Sequence, residues 1–475
     1  MMERQNAWAK YPEGKKREEV FKFAEHYRRF LSACKTEREC VDFFEREAQK
    51  AGFLDLKQVV EDGVRLKAGD KVYVSNMGKS LVLFVVGKKD LEHGMNILGA
   101  HIDSPRLDLK QDPLYEDTDF AMLDTHYYGG IKKYQWVTLP LALHGVIAKK
   151  DGTLVKVNIG DSPEDPVFGV SDLLAHLSRE QMEKKAAKVI EGENLDLLAG
   201  SIPLEENDET EDGKKHAKEA VKEKVKAGIM KILEEEYGIE EEDFLSAEIE
   251  VVPAGEARDY GLDRSMIMGY GHDDRVCAYP SFMALLEMKK PKLTSVCILV
   301  DKEEIGSVGA TGMRSRFFEN AVAELMNAAG EYSELKLRRA LKNSCVLSSD
   351  VSAAFDPNFP SVMTKRNTAY FGRGLVFNKY TGSGGKSGSN DANAEYVAAL
   401  RRIMDKNEVA FQTAELGRVD QGGGGTIAYI LADYGMQVID SGVAVINMHA
   451  PWEIISKVDL YEAFRGYVVF LKEQA

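Results

Sequence analysis

Residues 295–313 read SVCILVDKEEIGSVGATGM, which is an apolar run, a pair of glutamates and a segment of small residues. The run ends at Val300 and has the length and the β-branched content of a buried strand. Glu303 and Glu304 follow shortly after it. Adjacent carboxylates beyond a buried strand suit metal-assisted hydrolysis, because one can hold a metal ion while the other moves a proton of water. The stretch therefore predicts a strand of an α/β sheet and part of a hydrolytic site.

Similar apolar runs recur on both sides of this stretch, and helical patterns separate them. The runs are SLVLFVVG at 80–87, MNILGA at 95–100, SCVLSS at 344–349 and GVAVIN at 442–447. Helical stretches include AYPSFMALLEMKK and AEYVAALRRIMDK. Buried strands that alternate with helices are typical of an α/β sheet with helices on both faces. We therefore expect a three-layer catalytic domain with a mixed, largely parallel sheet.

Two helices are predicted at the amino-terminal end. Residues 16–35 place apolar side chains on one helical face, namely Val20, Phe23, Ala24, Tyr27, Phe30 and Leu31. A second helix begins at TERE, where Thr36 and Glu39 form a capping-box pattern, and ends near Gly52.

The pattern changes between about residues 110 and 250. VTLPLALHGVIAKKDGTLVKVNIG, residues 137–160, predicts a β-hairpin with its turn at KKDGT. A charged, helix-prone tract follows at 205–243, and its acidic clusters are more typical of a solvated face than of a binding site. We therefore predict a catalytic domain at residues 1–110 and 253–475, interrupted by an inserted domain at 111–252.

Composition excludes several classes of protein. The 475 residues carry 62 basic and 77 acidic side chains, a formal charge of -15, which argues against a nucleic-acid or anionic-membrane surface. No apolar run approaches the roughly 18 residues of a membrane helix, and the first residues lack the apolar stretch of a signal peptide. The five scattered cysteines show no CxxC spacing. These features predict a soluble cytoplasmic protein without a disulfide framework or a zinc–thiolate site.

Four further segments offer metal ligands. They are His101 in NILGAHIDSPR, Asp273 in GYGHDDRVCAY, Asp350 in SCVLSSDVSAAFDPN and His449 in GVAVINMHAPWE. All except Asp273 follow an apolar run, so we expect them to meet at the carboxyl ends of the strands, where ligands bind in open α/β sheets. Nitrogen and oxygen donors without thiolate favour zinc, cobalt or manganese in a catalytic site.

Each of these motifs also has a structural interpretation. His101 and His449 can be packed or hydrogen-bonded histidines, while Asp273 and Asp350 can cap helices. Asp103 strengthens the metal hypothesis for His101, because metal-bound histidines usually hydrogen-bond to a carboxylate or carbonyl. All motifs together, in matching contexts, predict a two-metal hydrolase.

The assembled motifs resemble those of the aspartyl-aminopeptidase family of two-metal exopeptidases, and the chain is most similar to its bacterial branch. HIDSPR, DKEEIGS, SSD and MHAP appear in the family's order over nearly the whole length. The resemblance implies that Asp273 bridges two metal ions, that His101 and Asp350 complete one site, and that Glu304 and His449 complete the other. It also implies that Glu303 is the general base and that Asp103 orients His101.

The resemblance further implies an inserted dimerisation domain and dimers that assemble into a tetrahedral dodecamer. In that assembly His176, in FGVSDLLAHLSRE, would complete the pocket of a neighbouring subunit, and Gly425, in VDQGGGGT, would lie near the substrate. The segment NKYTGSGGKSGSNDANAEY departs from the family's pattern. Lys386, or as second choice Lys379, is the candidate cation for an acidic substrate side chain, and a solvated loop lysine is the alternative.

The sequence thus predicts an aminopeptidase that removes single acidic or neutral and hydrophobic residues from peptides with a free N-terminus. One rival is a related two-metal hydrolase that cleaves N-acyl amino acids or dipeptides. The other is a catalytically silent assembly protein, which the retained Glu303 argues against.

Overall fold

A computed structural model of the chain describes residues 5–205 and 222–474. Residues 206–221 of the charged tract predicted at 205–243 therefore lie outside the described residues. The described α-helices are Lys15–Ala33 (α1), Glu37–Lys50 (α2), Leu56–Glu61 (α3), Arg179–Met182 (α4), Lys224–Tyr237 (α5), His272–Leu286 (α6), Phe317–Ala329 (α7), Glu334–Lys342 (α8), Ala394–Lys406 (α9), Ala428–Ala432 (α10) and Lys457–Glu473 (α11). No helix within these two ranges is long and apolar enough to cross a membrane.

The described strands form three sheets. In chain order they are Leu54–Asp55 (β1), Lys71–Asn76 (β2), Ser80–Val85 (β3), Met95–His101 (β4), Arg106–Asp117 (β5), Phe120–Tyr128 (β6), Leu141–Ala148 (β7), Leu154–Ile159 (β8), Leu197–Gly200 (β9), Ala247–Pro253 (β10), Arg258–Tyr260 (β11), Met266–Gly269 (β12), Thr294–Val300 (β13), Cys345–Ser349 (β14), Ser352–Ala353 (β15), Leu375–Asn378 (β16), Phe411–Thr413 (β17), Gln437–Gly442 (β18), Ala444–Ile446 (β19) and Glu453–Ser456 (β20).

The largest sheet has nine strands in the order β1-β2-β3-β13-β4-β14-β18-β16-β17. Its central strands β13, β4, β14 and β18 are mutually parallel, whereas β3 and β16 join them antiparallel. The predicted mixed, largely parallel sheet is therefore confirmed. In the ladder Val300 pairs with His101. This register brings the carboxyl ends of β13 and β4 to the same edge.

Two apolar clusters cover the two faces of this sheet. Alternate residues of β4 contribute to them, since Leu98 belongs to one cluster and Ile97 to the other. The first cluster takes side chains from α1, α2, α6, α9 and α11, and the second from α3, α7, α8 and α10. The predicted amino-terminal helices are both present, and the capping box of Thr36 and Glu39 is formed. All five cysteines are free.

The chain divides into two compact units. The second unit comprises Pro105–Glu256 with His449–Pro451, and the first unit comprises the rest. The second unit holds a six-stranded antiparallel sheet in the order β8-β7-β10-β5-β6-β9. The hairpin predicted at 137–160 is confirmed as β7 and β8.

One predicted strand is assigned to the wrong sheet by its sequence pattern. The run GVAVIN, which precedes His449, does not form a strand of the nine-stranded sheet. That sheet uses β18, which ends at Gly442, and the following β19 joins a five-stranded sheet in the order β11-β12-β20-β19-β15. An apolar run reports burial alone, and it does not distinguish two sheets whose strands are separated by a single residue, Val443.

Candidate metal centre

His101 is the last residue of β4 and is buried. Its Nδ1 lies 3.0 Å from the carbonyl oxygen of Asp103, and its Nε2 lies 3.1 Å from Asp273 Oδ1. Burial alone lowers the pKa of an imidazole, but the hydrogen bonds with Asp103 and Asp273 raise the pKa of His101 well above its ordinary value. The ring is therefore oriented on one side and faces a carboxylate on the other.

The glutamate pair lies in a single 3-10 turn, Glu303–Ile305, just beyond β13. Lys302 before the turn and Gly306 after it both have left-handed backbone conformations, with φ of 65° and 92°. The backbone N–H groups of Glu303 and Glu304 donate to Asp103 Oδ1 and Oδ2, each at 3.2 Å. Asp103 therefore contacts both the histidine at the end of β4 and the glutamates after β13.

Asp273 lies between β12 and the regular part of α6. Asp273 and Asp274 have non-helical dihedrals, and the peptide bond between them is cis. The backbone of Asp273 is held at two points. Ser104 Oγ donates to its carbonyl oxygen at 2.6 Å, and its N–H donates to Glu453 Oε2 at 3.0 Å.

Asp350 follows β14, and its N–H donates to the carbonyl oxygen of Ser441 on β18 at 3.0 Å. Gly442 is required beside it, because a Cβ at that position would lie 1.8 Å from the Asp350 carbonyl oxygen. Burial raises the pKa of the Asp350 carboxyl well above its ordinary value, and the negative charges of Asp274, Asp273 and Glu303 raise it further. Asp350 thus lies near three other carboxylates, and the His101 imidazole opposes their effect.

Six side chains converge at this edge of the sheet, five that the sequence predicted and one, Asp274, that it did not. Three overlapping groups each place their ligand atoms within 4.8 Å of one another: His101, Glu303 and Asp350; His101, Asp273 and Glu304; Asp273, Asp274 and Asp350. The donors are one imidazole and five carboxylates, which suits a catalytic zinc site. Carboxylates crowded together in a buried site repel one another, and a divalent cation relieves that repulsion. The residues therefore fit the predicted metal.

Asp274 is the member of the cluster that the sequence reasoning missed. Burial raises the pKa of its carboxyl well above its ordinary value, and the adjacent Asp273 carboxylate raises it further. The doubled aspartate in GHDDR was the available signal, but an aspartate beside a helix start is also a common cap.

His449 is not one of the residues in these three groups of described ligands. It belongs to the second unit, is half-buried, and has a left-handed backbone with φ of 65°. Its Nδ1 lies 3.0 Å from the carbonyl oxygen of Gly130 in the same unit. Its assignment as a metal ligand stays a prediction.

The three predicted substrate-contacting residues lie on exposed segments. His176 is an exposed turn residue of the second unit, and Gly425 is exposed in the first. Lys386 Nζ lies 3.0 Å from Asp391 Oδ2 and 3.8 Å from the centre of the Tyr380 ring. Asp391 also contacts Lys379 Nζ. The roles of His176, Gly425 and Lys386 stay predictions.

The fold and this cluster define a metal-dependent hydrolase built on a mixed α/β sheet. The chain belongs to the M18 peptidase family: residues 30–471 match the family described as aminopeptidase I zinc metalloprotease (M18). It is therefore a zinc metalloaminopeptidase, a hydrolase that acts as an exopeptidase. The family assignment predicted from the sequence motifs is confirmed.

Relatives cover the whole chain. A probable M18 family aminopeptidase 1 of Clostridium acetobutylicum is 65% identical over 471 residues, which are 99% of this chain and 98% of the relative. The crystal structure of an M18 aminopeptidase from Thermotoga maritima is 45% identical, with a TM-score of 0.91 and 100% of each chain covered. The structure of the mApe1 dodecamer of S. cerevisiae has a TM-score of 0.76 and covers 95% of this chain and 96% of its own. At 21% identity this last likeness shows the fold alone.

Proposed function

We propose that this aminopeptidase uses two zinc ions per subunit, with cobalt or manganese as alternatives, and that Asp273 bridges them. The convergence of the ligand atoms within 4.8 Å is the observation that carries the proposal. Asp273 belongs both to a group with Glu304 and to a group with Asp350, which supports the bridging role. His101 and Asp350 complete one position, while Glu304 contributes to the other.

When bound at these residues, zinc would supply the Lewis acidity that hydrolysis of a peptide bond near neutral pH requires. Glu303 is the general base that takes the proton of the attacking water and delivers it to the leaving amine. Its position is supported by its grouping with His101 and Asp350. Asp103 positions both the imidazole and the glutamate turn, because it contacts His101 and the N–H groups of Glu303 and Glu304.

The proposed substrates are peptides with a free N-terminus, from which one residue is removed. Lys386 is paired with Asp391, which also contacts Lys379. A cation already paired with a carboxylate attracts an acidic substrate side chain less strongly. This pairing favours neutral or hydrophobic N-terminal residues over acidic ones.

We also propose that the second unit is an inserted dimerisation domain of a three-layer enzyme, and that the enzyme is a cytoplasmic homo-oligomer. Exposed apolar side chains in the segment that contains His176 support an interface, since Leu173, Leu174 and Leu177 are 53%, 54% and 69% exposed. The yeast relative mApe1 is described as a dodecamer. The proposed assembly is a dodecamer, tetrahedral as the resemblance of the sequence motifs implies, with His176 reaching a neighbouring subunit.

The test is hydrolysis of aminoacyl chromogenic substrates by metal-stripped enzyme that is reconstituted separately with zinc, cobalt and manganese. We expect metal-dependent turnover, saturating at two ions per subunit, with faster cleavage of leucyl than of glutamyl substrates. The N-acetylated form of the best substrate is the matched control. Cleavage of the acetylated form at a similar rate would instead support an N-acyl amino acid hydrolase.

A further inference from the structure

Each of the two peptide groups that flank Asp273 makes a hydrogen bond with a side chain. Ser104 Oγ donates to its carbonyl oxygen at 2.6 Å, and Glu453 Oε2 accepts from its N–H at 3.0 Å. Both side chains are buried, with 1% exposure each. They come from different parts of the first unit, since Ser104 follows β4 and Glu453 begins β20.

The surrounding backbone leaves little room for adjustment. Glu453 pairs with Gly269 at the end of β12, the strand that leads into Asp273. Gly271 has φ of 75°, and a Cβ there would lie 1.7 Å from Arg275 Nη1 and 2.9 Å from Ser104 Oγ. The turn between β12 and α6 is therefore closely packed against the residues that hold Asp273.

The choice of glutamate at position 453 is informative. A buried carboxylate beside a cluster of other carboxylates adds like charge, which is unfavourable unless it makes a specific contact. A hydrogen bond from a backbone N–H to a carboxylate is such a contact, and it is stronger than one to a neutral acceptor. Asp273 has non-helical dihedrals at the start of a helix, so its peptide groups lack the usual helical partners.

We propose that Ser104 and Glu453 are positioning residues that fix the backbone of Asp273 so that its single carboxylate reaches both metal positions. This inference rests on the proposed two-metal site. The two residues contact the backbone of Asp273, and in this proposal they act through Asp273. A less constrained Asp273 backbone would let one carboxylate oxygen move away from its metal position. One carboxylate can serve two metal positions only when each of its oxygens points at one of them.

The test uses full-length apo enzyme titrated with cobalt, followed by calorimetry and by electron paramagnetic resonance. Two cobalt ions joined by a carboxylate are magnetically coupled, whereas separated ions give independent signals. We expect coupled ions in the native enzyme and in Glu453→Gln, which keeps an acceptor for the N–H of Asp273. We expect Glu453→Met to weaken one of the two sites by about 10–100-fold and to lose the coupling. Ser104→Ala should shift both readouts in the same direction by less.

Glu462→Met is the matched control. Glu462 is also fully buried, and it contacts Lys10 and Tyr11 through its carboxylate. We expect this variant to unfold at a lower temperature but to keep both cobalt sites and their coupling. Unchanged affinity and coupling in Glu453→Met would overturn the positioning role. If that variant does not fold, unchanged cobalt binding in Ser104→Ala would overturn it instead.

The native enzyme separates this proposal from the proposed function. Uncoupled cobalt ions in the native protein would reject the Asp273 bridge itself, whatever the variants do. Coupled ions in the native protein, together with coupling retained in all three site variants, would leave the bridge in place and reject only the positioning residues.

Discussion

The edge of the nine-stranded sheet and the loop at residues 379–391 both concentrate charged side chains, but with opposite physical consequences. At the sheet edge His101 and the carboxylates around Asp273 and Asp350 are gathered within 4.8 Å in overlapping groups. In the loop Lys386 pairs with Asp391 at 3.0 Å, and both side chains are 45% exposed. The first arrangement accumulates negative charge, and the second neutralises it.

Burial decides how much each arrangement matters. Burial and neighbouring carboxylates raise the pKa of Asp350 well above its ordinary value, whereas hydrogen bonds from Lys379 and Lys386 lower the pKa of Asp391. A buried group of like charges is unfavourable without a cation, so it indicates a binding function. An exposed pair of opposite charges is common on protein surfaces and contributes little. The comparison therefore predicts large effects at the sheet edge and small effects in the loop.

The largest effect is expected from Asp273→Ala. The change removes the carboxylate that joins the group with Glu304 to the group with Asp350. We expect the purified variant to hold fewer than two zinc ions per subunit and to show no measurable turnover. Metal analysis after exhaustive dialysis, beside kcat for a leucyl substrate, checks both. A variant with normal zinc content would contradict the bridging role.

Glu303→Gln tests whether the two adjacent glutamates have different roles, with Glu303 as general base and Glu304 as metal ligand. Glutamine keeps the size of the side chain and leaves the backbone contact with Asp103 intact, but it does not accept a proton. We expect kcat to fall by about 10²–10⁴-fold while zinc content stays at the native level. Glu304→Gln is the paired control, and it should lose zinc as well as activity. Native turnover in Glu303→Gln would remove this residue from the role of general base.

Asp440 tests whether a buried carboxylate outside the cluster behaves differently. It lies on β18, and it accepts a hydrogen bond from Thr426 Oγ1 at 2.5 Å. Burial raises its pKa to about 7. The folded chain therefore keeps a proton that the unfolded chain loses near pH 4, so the stability contributed by this residue falls as pH rises from about 4 to about 7. One pKa unit corresponds to about 1.4 kcal/mol, so the loss is at most a few kcal/mol.

We expect Asp440→Asn to reduce this pH dependence and to unfold at a higher temperature than the native enzyme at pH 8. Thermal unfolding at pH 5.5 and pH 8 measures the difference. Asp459→Asn is the comparison variant, because burial raises the pKa of Asp459 to about 7 as well, but both oxygens of Asp459 accept hydrogen bonds from N–H groups, those of Gly372 and Gly374. That variant loses an acceptor and should be less stable at both pH values. An equal pH response in Asp440→Asn and the native enzyme would contradict a raised pKa at Asp440.

Much of the site at the edge of the nine-stranded sheet could be predicted, because its titratable residues come shortly after apolar, strand-like runs of the sequence. Apolar runs followed by His101, Glu303 or Asp350 indicate burial and direction, and parallel strands bring such positions to one edge. The contact of Asp103 with the glutamate turn was not predictable, since it requires β13 and β4 to be neighbours with Val300 opposite His101. The same limit applies to Glu453, which reaches Asp273 through the pairing of β20 with β12.

The run before His449 shows a different limit. Val443 follows β18, and the apolar pattern continues without interruption into β19 of another sheet. Periodicity reports which side chains are buried, but the partner strands are chosen by tertiary packing. The pairing of Lys386 with Asp391, in contrast, joins residues five positions apart. A local search for opposite charges in the loop would have suggested it.

The smallest effect is expected in that loop. Asp391→Asn removes the carboxylate shared by Lys379 and Lys386. If the loop faces the substrate, kcat/KM for a glutamyl substrate should rise relative to a leucyl substrate by up to about fivefold, because exposed ion pairs contribute about 1 kcal/mol or less. The gain should disappear at about 1 M salt, where the screening length is about 3 Å. Glu473→Gln removes the partly exposed partner of the exposed Lys406 and serves as the control that should leave the ratio unchanged. Combining Asp391→Asn with Lys386→Met or Lys379→Met identifies which lysine causes the increase in the ratio of kcat/KM values. An unchanged ratio in Asp391→Asn would mean that neither lysine interacts with the substrate side chain and that other residues determine the specificity.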